Sequence, residues 1–326
     1  ARPDCMKEFE LIRQIQQETS VSYSPGFEHG VKLGIGDDAA VLEVPAGQHL
    51  VAATDTLNAG THFPTDTSPF DIGYKCLAVN LSDLAAMGAI PRWALLSLSL
   101  PRADPEWVHL FSEGFSSLAQ VHDVTLVGGD TTSGPLSISL TALGSIEPGR
   151  QLTRGGAKPG DMLVVSGTVG GAALALEQLQ SGKTVLERHL LDRPQPRVSL
   201  GRSLAGYASA CIDISDGLLA DLGHVLKQSG CGAKLEIGKL PHTPVLAGLE
   251  DEAKWRYQLS GGDDYELLFT LPPQHREWLS ILSQTLNTSL SVIGEIEQDE
   301  GVRCFGNDHK EFHPLHTGFE HFRGSS

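Results

Sequence analysis

Residues 71–100, DIGYKCLAVNLSDLAAMGAIPRWALLSLSL, decide the fold class. Ile72, Cys76, Val79, Leu84 and Met87 fall at helical spacings, and Leu77, Ala78 and Leu81 broaden the apolar face. Gly88 stops this helix, and Trp93 to Leu100 reads as an apolar strand closed by Pro101. A helix that feeds a strand, repeated along the chain, predicts an α+β or α/β protein and excludes a sandwich. Asn80 and Asp83 stand inside the apolar helix and need partners there, because an unpaired buried polar group is costly.

Upstream, Ala39–Val44 and Leu50–Thr54 read as short strands about the turn Pro45-Ala46-Gly47, with Asp55 where the second strand ends. Phe9, Leu11, Ile12 and Ile15 space as a short amphipathic helix, and 21–32 reads as a loop, either a flap over a ligand or a plain surface linker. Downstream, Glu106–His122 reads as a helix, Thr125–Val127 as a strand delivering Gly128-Gly129-Asp130, and Leu136–Gly144 as another strand. Gly and Pro pairs punctuate 147–160, so two domains are expected, 1–148 and 149–326.

In the second half, Met162–Ser166 reads as a strand leading through Gly167, Gly170 and Gly171 into a helix at Ala172–Leu179, a weak anion-site pattern. LDRPQPRV at 191–198 reads as an extended connector, followed by a helix at Leu200–Ser209 and a strand at Cys211–Ile214. Asp216 stands at the start of a helix at Gly217–Gln228, and the remaining strands are expected at Leu235–Ile237, Leu267–Thr270 and Val292–Ile296.

The net charge of −16 and the lack of a basic run exclude a general nucleic-acid binder. The five cysteines are far apart and form no CxxC pair, which predicts free thiols in a reducing compartment. With neither a signal peptide nor a spanning stretch legible, a cytoplasmic protein without membrane partners is expected.

A carboxylate recurs beside small residues: Asp37 and Asp38 in GIGDDAA, Asp55, Asp83, Asp130 in VGGDTT, Asp213 and Asp216 in DISDGL, and Asp263 and Asp264 in GGDDYEL. Adjacent carboxylates repel, so a fold keeps them at a surface turn or beside a cation. Oxygen ligands of this kind suit Mg²⁺ and phosphate. The residues alone leave both readings open, with Asp38 the more turn-like of its pair, Asp216 readable as a helix cap and His62 as a polar loop residue. A covalent nucleophile is not legible, so phosphate transfer, if it occurs, is direct and in line.

GIGDDAAV, TDTLNAGTHF, YKCLAVNLSDLAAMGAIP, LVGGDTTSGPL, TRGGAKPGD, SGTVGGAALAL, LDRPQP, IDISDGLLADLGH, SGGDDYELLFT and GFEHF occur in that order. Together they resemble the thiamine-monophosphate kinase family, of the aminoimidazole ribonucleotide synthetase superfamily. The resemblance implies a two-domain fold whose N-terminal sheet pairs with a dimer mate to close a β-barrel. It also implies ATP-dependent, Mg²⁺-assisted phosphorylation of thiamine monophosphate to thiamine diphosphate by a homodimer. By matching motifs, Asp37, Thr54, Asp55, Asp83, Asp130, Asp213 and Asp216 resemble metal ligands. Gly129, Asp130, Arg154 and Ser215 resemble ATP contacts, and His62, Asp263 and Phe319 resemble contacts to thiamine monophosphate.

Three positions depart from the family pattern. Ala53 precedes Thr54 where two threonines are common, Asp263 replaces a longer Glu, and Phe319 stands where Trp is common. Phe keeps an apolar face for a ring and loses the indole N–H. Rival readings are another superfamily enzyme, or an acidic Mg²⁺- or Ca²⁺-binding scaffold. A selenophosphate synthetase is disfavoured because Cys5 lacks the context of a reactive cysteine.

Overall fold

The computed structural model describes residues 7–20, 29–315 and 318. Residues 21–28 of the expected loop, and Phe319, lie outside the described residues. The chain divides into two compact units, Ala1–Leu84 with Ala89–Gly149, and Ala85–Gly88 with Arg150–Ser326.

The first unit carries α1 (Glu8–Glu18), β1 (Val31–Leu33), β2 (Val41–Leu42), β3 (His49–Asn58), α2 (Pro69–Ala86), β4 (Ile90–Leu100), α3 (Pro105–Val121), β5 (Thr125–Ser133) and β6 (Ser137–Ile146). Its four-stranded sheet has the order β3-β6-β4-β5, with β4 and β5 parallel and the other pairs antiparallel. Side chains alternate across the sheet. Leu57, Leu96, Leu98, Ile138, Leu140 and Ala142 are buried on one face. Leu84 of α2 lies against Gly144 on this same face. The other face is open and rich in hydroxyls, where Thr56 and Ser139 bond at 2.7 Å and Thr141 donates to Thr54 at 3.1 Å.

Helices α2 and α3 cross at two glycines. A Cβ on Gly73 would stand 2.0 Å from the carbonyl oxygen of Phe111, and one on Gly114 would stand 1.9 Å from that of Phe70. Helix α3 starts sharply because Asp104 accepts from the backbone N–H groups of Glu106 and Trp107, with Pro105 at the first helical position.

The second unit carries β7 (Met162–Ser166), α4 (Gly171–Gln180), α5 (Arg188–Asp192), α6 (Val198–Leu204), β8 (Ala210–Asp213), α7 (Leu218–Ser229), β9 (Gly232–Glu236), α8 (Pro244–Ala247), α9 (Asp251–Ser260), β10 (Leu267–Leu271), α10 (Arg276–Leu286), β11 (Leu290–Glu297), β12 (Gly301–Phe305) and β13 (Glu311–Phe312). Its seven-stranded mixed sheet has the order β13-β12-β9-β11-β7-β10-β8. Strands β7 and β10 are buried at every position, which accounts for sequences that are apolar except at Ser166 and Thr270.

Several local expectations are corrected. The strand expected at 39–44 shrinks to β2, paired with β1. Asp55 lies inside β3 instead of at its end, and Gly128-Gly129-Asp130 lie inside β5. Glycines read as a stop, yet β5 pairs with β4 through them, Gly129 opposite Leu96 and Asp130 opposite Ser97. The expected connector at 191–198 ends α5 and begins α6, and α6 ends at Leu204. Among the described residues no helix is long and apolar enough to cross a membrane.

Gly114→Val should lower the thermal midpoint by several degrees, since overpacking of this kind costs about 1–3 kcal/mol. A melt unchanged from wild type would contradict the close helix crossing.

Candidate active site

In the first unit, GIGDD and VGGDT meet along one groove of about 810 Å³, lined among others by Phe9, Ile12, Asp37, Asp38, Gly129 and Asp130. Gly129 belongs there for a steric reason. Its φ is +147°, and a Cβ would stand 1.8 Å from the Leu96 carbonyl oxygen. Asp37 turns its Oδ1 back to accept from the Asp38 N–H at 2.9 Å, so the local turn bond falls on Asp37 and not on Asp38. Both carboxylates are exposed.

Thr54 and Asp55 are neighbours on a regular strand, so their side chains project from opposite faces. Thr54 donates to the Leu140 carbonyl at 3.1 Å on the open face. Asp55 pairs in register with Leu140, on the face that α2 covers, and burial raises its carboxyl above the usual range. Asp83 is a half-buried residue of α2. Asp55 and Asp130 occupy the two edge strands of the sheet, roughly 14 Å apart at about 4.8 Å per strand. The structure therefore gathers Asp37, Gly129 and Asp130, and keeps Asp55 apart from them within the protomer.

His62 follows β3. Its Nδ1 accepts from the Asn58 N–H at 3.0 Å, which leaves the ring proton on Nε2. The His62 carbonyl accepts from the Lys75 ammonium at 3.1 Å. Lys75 is only 1% exposed and was missed in the sequence, because a lysine in an apolar helix reads as a surface residue.

In the second unit, β8 delivers Asp213, 5% exposed, into the loop Ile214–Gly217. Asp216 does not cap α7. Asp221, in the first turn of that helix, reaches back and its Oδ2 accepts from the N–H groups of Ser215, Asp216 and Gly217 at 3.0, 3.1 and 3.2 Å. Burial first, then the charges of Asp213 and Asp216, push the Asp221 carboxyl up to about 7. The sequence offered a signal for Asp221 only in its spacing, five residues after Asp216 and in the first turn of the helix that follows.

The GGDD segment lies against this loop. Asp263 N–H donates to the Ser215 carbonyl at 2.9 Å, and Tyr265 N–H to the Ile214 carbonyl at 2.8 Å. A Cβ on Gly318, first residue of GFEHF, would be 2.9 Å from the Asp216 carbonyl oxygen. Asp213, Ser215, Asp216 and Asp263 are thus brought together, beside the start of the terminal motif. The glycines before α4 do not leave an open anion site, because Asp264 fills it, its two oxygens 2.9 and 3.0 Å from the Gly170 nitrogen.

Arg154 is exposed and lies elsewhere in the second unit. Its carbonyl meets the Ser229 hydroxyl at the last turn of α7, roughly 18 Å along the 12-residue helix from Asp216. Among the described residues, no group of three or more His, Cys, Asp or Glu side chains could hold a metal ion.

Gly129→Ala should cost about 1–3 kcal/mol of stability, read by chemical denaturation, and should shift the amide resonances of Gly36, Asp37 and Asp38. Wild-type stability and shifts would contradict the close strand approach.

Two family models match the chain: the AIR synthase related protein N-terminal domain over residues 36–146 and the corresponding C-terminal domain over residues 158–307. Thiamine-monophosphate kinase of Escherichia coli K12 is 45% identical over 302 residues, covering 90% of this chain and 92% of that one. The crystal structure of thiamine-monophosphate kinase from Stenotrophomonas maltophilia K279a is 46% identical with a TM-score of 0.84, covering 92% of this chain and 96% of that one. AaThiL complexed with AMPPCP and TMP is 33% identical with a TM-score of 0.74, covering 97% of each chain. This similarity spans both units, and the chain belongs to the thiamine-monophosphate kinase family, on the two-domain AIR synthase related fold.

Proposed function

We propose that this chain transfers the γ-phosphoryl group of ATP to the phosphate of thiamine monophosphate. The observation that carries this reading is the likeness, over 97% of both chains, to a relative solved with AMPPCP and TMP. AMPPCP is an ATP analogue, and TMP is taken as thiamine monophosphate. A phosphate oxygen of the acceptor forms a bond to the γ-phosphorus while the bond from that phosphorus to the β,γ-bridging oxygen breaks, giving thiamine diphosphate and ADP. The acceptor oxygen is already ionised near neutral pH, so no general base is required.

In this reading the first unit, with Gly129 and Asp130, serves nucleotide, metal and dimerisation, and Arg154 and Ser215 add contacts to ATP. His62, Asp263 and Phe319 bind and orient thiamine monophosphate. The donor chemistry fits Mg²⁺: Asp37 and Asp130 line one groove of the first unit, and Asp213 and Asp216 lie close together at the end of β8 in the second. Asp37, Thr54, Asp55, Asp83, Asp130, Asp213 and Asp216 would hold the ions, with the Thr54 side chain directed to the other sheet face from Asp55. When bound, Mg²⁺ supplies the positive charge that lets two polyanions approach.

Among the described residues, the β3 and β5 edges each leave a row of backbone groups without a strand partner in the four-stranded sheet. Pairing two such sheets edge to edge closes an eight-stranded barrel with the hydroxyl-rich face inside, which supports a homodimer. Cys76, Cys211, Cys231 and Cys304 are buried free thiols, in keeping with a reducing, cytoplasmic setting.

A coupled ADP-release assay comparing thiamine, thiamine monophosphate and aminoimidazole precursors tests the reaction; turnover only with thiamine monophosphate is expected, and none with it would overturn the proposal. Asp83→Asn should lose most activity while unfolding cooperatively, and a wild-type rate would remove its metal role. Phe319→Ala should raise the KM for thiamine monophosphate well above any rise for ATP, whereas equal effects would contradict its assignment.

A further inference from the structure

Asp264 has no role in the substrate contacts proposed above, yet it docks on the start of α4. The surrounding protein pushes its carboxyl well above the usual range, chiefly by burial, although part of the residue's surface stays open. Both its oxygens face the N–H of Gly170, the residue that caps α4, where the helix end adds a favourable partial positive charge.

The residues on either side of Asp264 are both left-handed. Asp263 has φ +67° and Tyr265 has φ +50°. Asp tolerates this region, but for a bulky tyrosine it is a strained conformation that persists only when neighbours over-determine it. Those neighbours are the carbonyls of Ser215 and Ile214, which accept from Asp263 and Tyr265. The DISDG loop is thus held from two sides. Asp221 binds its amides from the helix below, and the strained segment binds its carbonyls from the other side. Asp264 ties the strained segment to the start of α4 through Gly170, and Glu266, the residue after that segment, is held by Arg197 and Ser166.

We propose that Asp264 is a positioning residue: docked on Gly170, it locks the Asp263–Tyr265 segment and so holds Asp263 in the geometry that receives thiamine monophosphate. A helix-capping role alone would stabilise α4 and leave substrate recognition untouched. The positioning role instead places the acceptor contact, Asp263, one residue from the anchor. This inference rests on the kinase reading, so its test includes an arm independent of activity.

The experiment compares Asp264→Ala and Asp264→Asn with wild type by hydrogen exchange resolved to single amides and by steady-state kinetics. In Asp264→Ala, exchange at Asp263 and Tyr265 should quicken about tenfold or more while the β7 and β10 amides keep their protection. The KM for thiamine monophosphate should rise about tenfold, with the KM for ATP within about twofold. Asp264→Asn keeps one acceptor oxygen for Gly170 and should fall between wild type and alanine on both measures. Should Asp264→Ala fail to fold, Asp264→Asn alone decides by the same two measures. Unchanged exchange at Asp263 and Tyr265, or equal rises in both KM values, would overturn the proposal. If the wild-type protein turns over no thiamine monophosphate, the kinase reading fails, and the exchange arm still decides the anchoring.

Discussion

Repulsion between like charges is the constraint around which this molecule is arranged. A chain with a net charge of −16 places carboxylates in adjacent pairs and short-spaced clusters, which cannot be held together without hydrogen-bond donors or cations. The fold supplies backbone donors to one subset. Asp37 takes the Asp38 N–H, Asp221 takes three loop amides, and Asp264 takes the Gly170 N–H. These carboxylates shape loops. Asp130 lines a groove of the first unit together with Asp37, and in the proposed reaction it meets metal-bound phosphate.

The sheet of the first unit gives this division its geometry. Alternation along β3 sends Thr54 and Asp55 to opposite faces, so a pair adjacent in sequence cannot act as one chelating pair through side chains. The same alternation gives the sheet one apolar face under α2 and one face of serine and threonine hydroxyls. With Asp55 and Asp130 on opposite edge strands, the proposed metal set is spread across the sheet instead of gathered at one point.

Much of this was legible in the sequence. The period of 71–87 and the stop at Gly88 predicted α2, and the apolar run 162–166 is β7 residue for residue. Motif order predicted the two-domain fold and the family. What escaped the reading has identifiable causes. Gly128-Gly129 looked like a turn because glycine weakens strands in isolation, whereas here the missing Cβ is what lets β5 approach β4. Helix α9, DEAKWRYQLS, shows no one-sided apolar pattern, so periodicity could not find it. Asp221 and the partner of Asp264 were hidden because the bonds are to backbone amides, which carry no sequence signal, and Lys75 because its carbonyl partner lies in a loop.

The central claim is that the exposed aspartates form a phosphate site that works only with a divalent cation. Its most direct measurement is the affinity of the full-length protein for AMPPCP by calorimetry across a Mg²⁺ titration, beginning in EDTA. The account predicts little binding without Mg²⁺, and an affinity that rises at least a hundredfold on its addition in wild type but not in Asp130→Asn. Equal affinity with and without Mg²⁺ would contradict it.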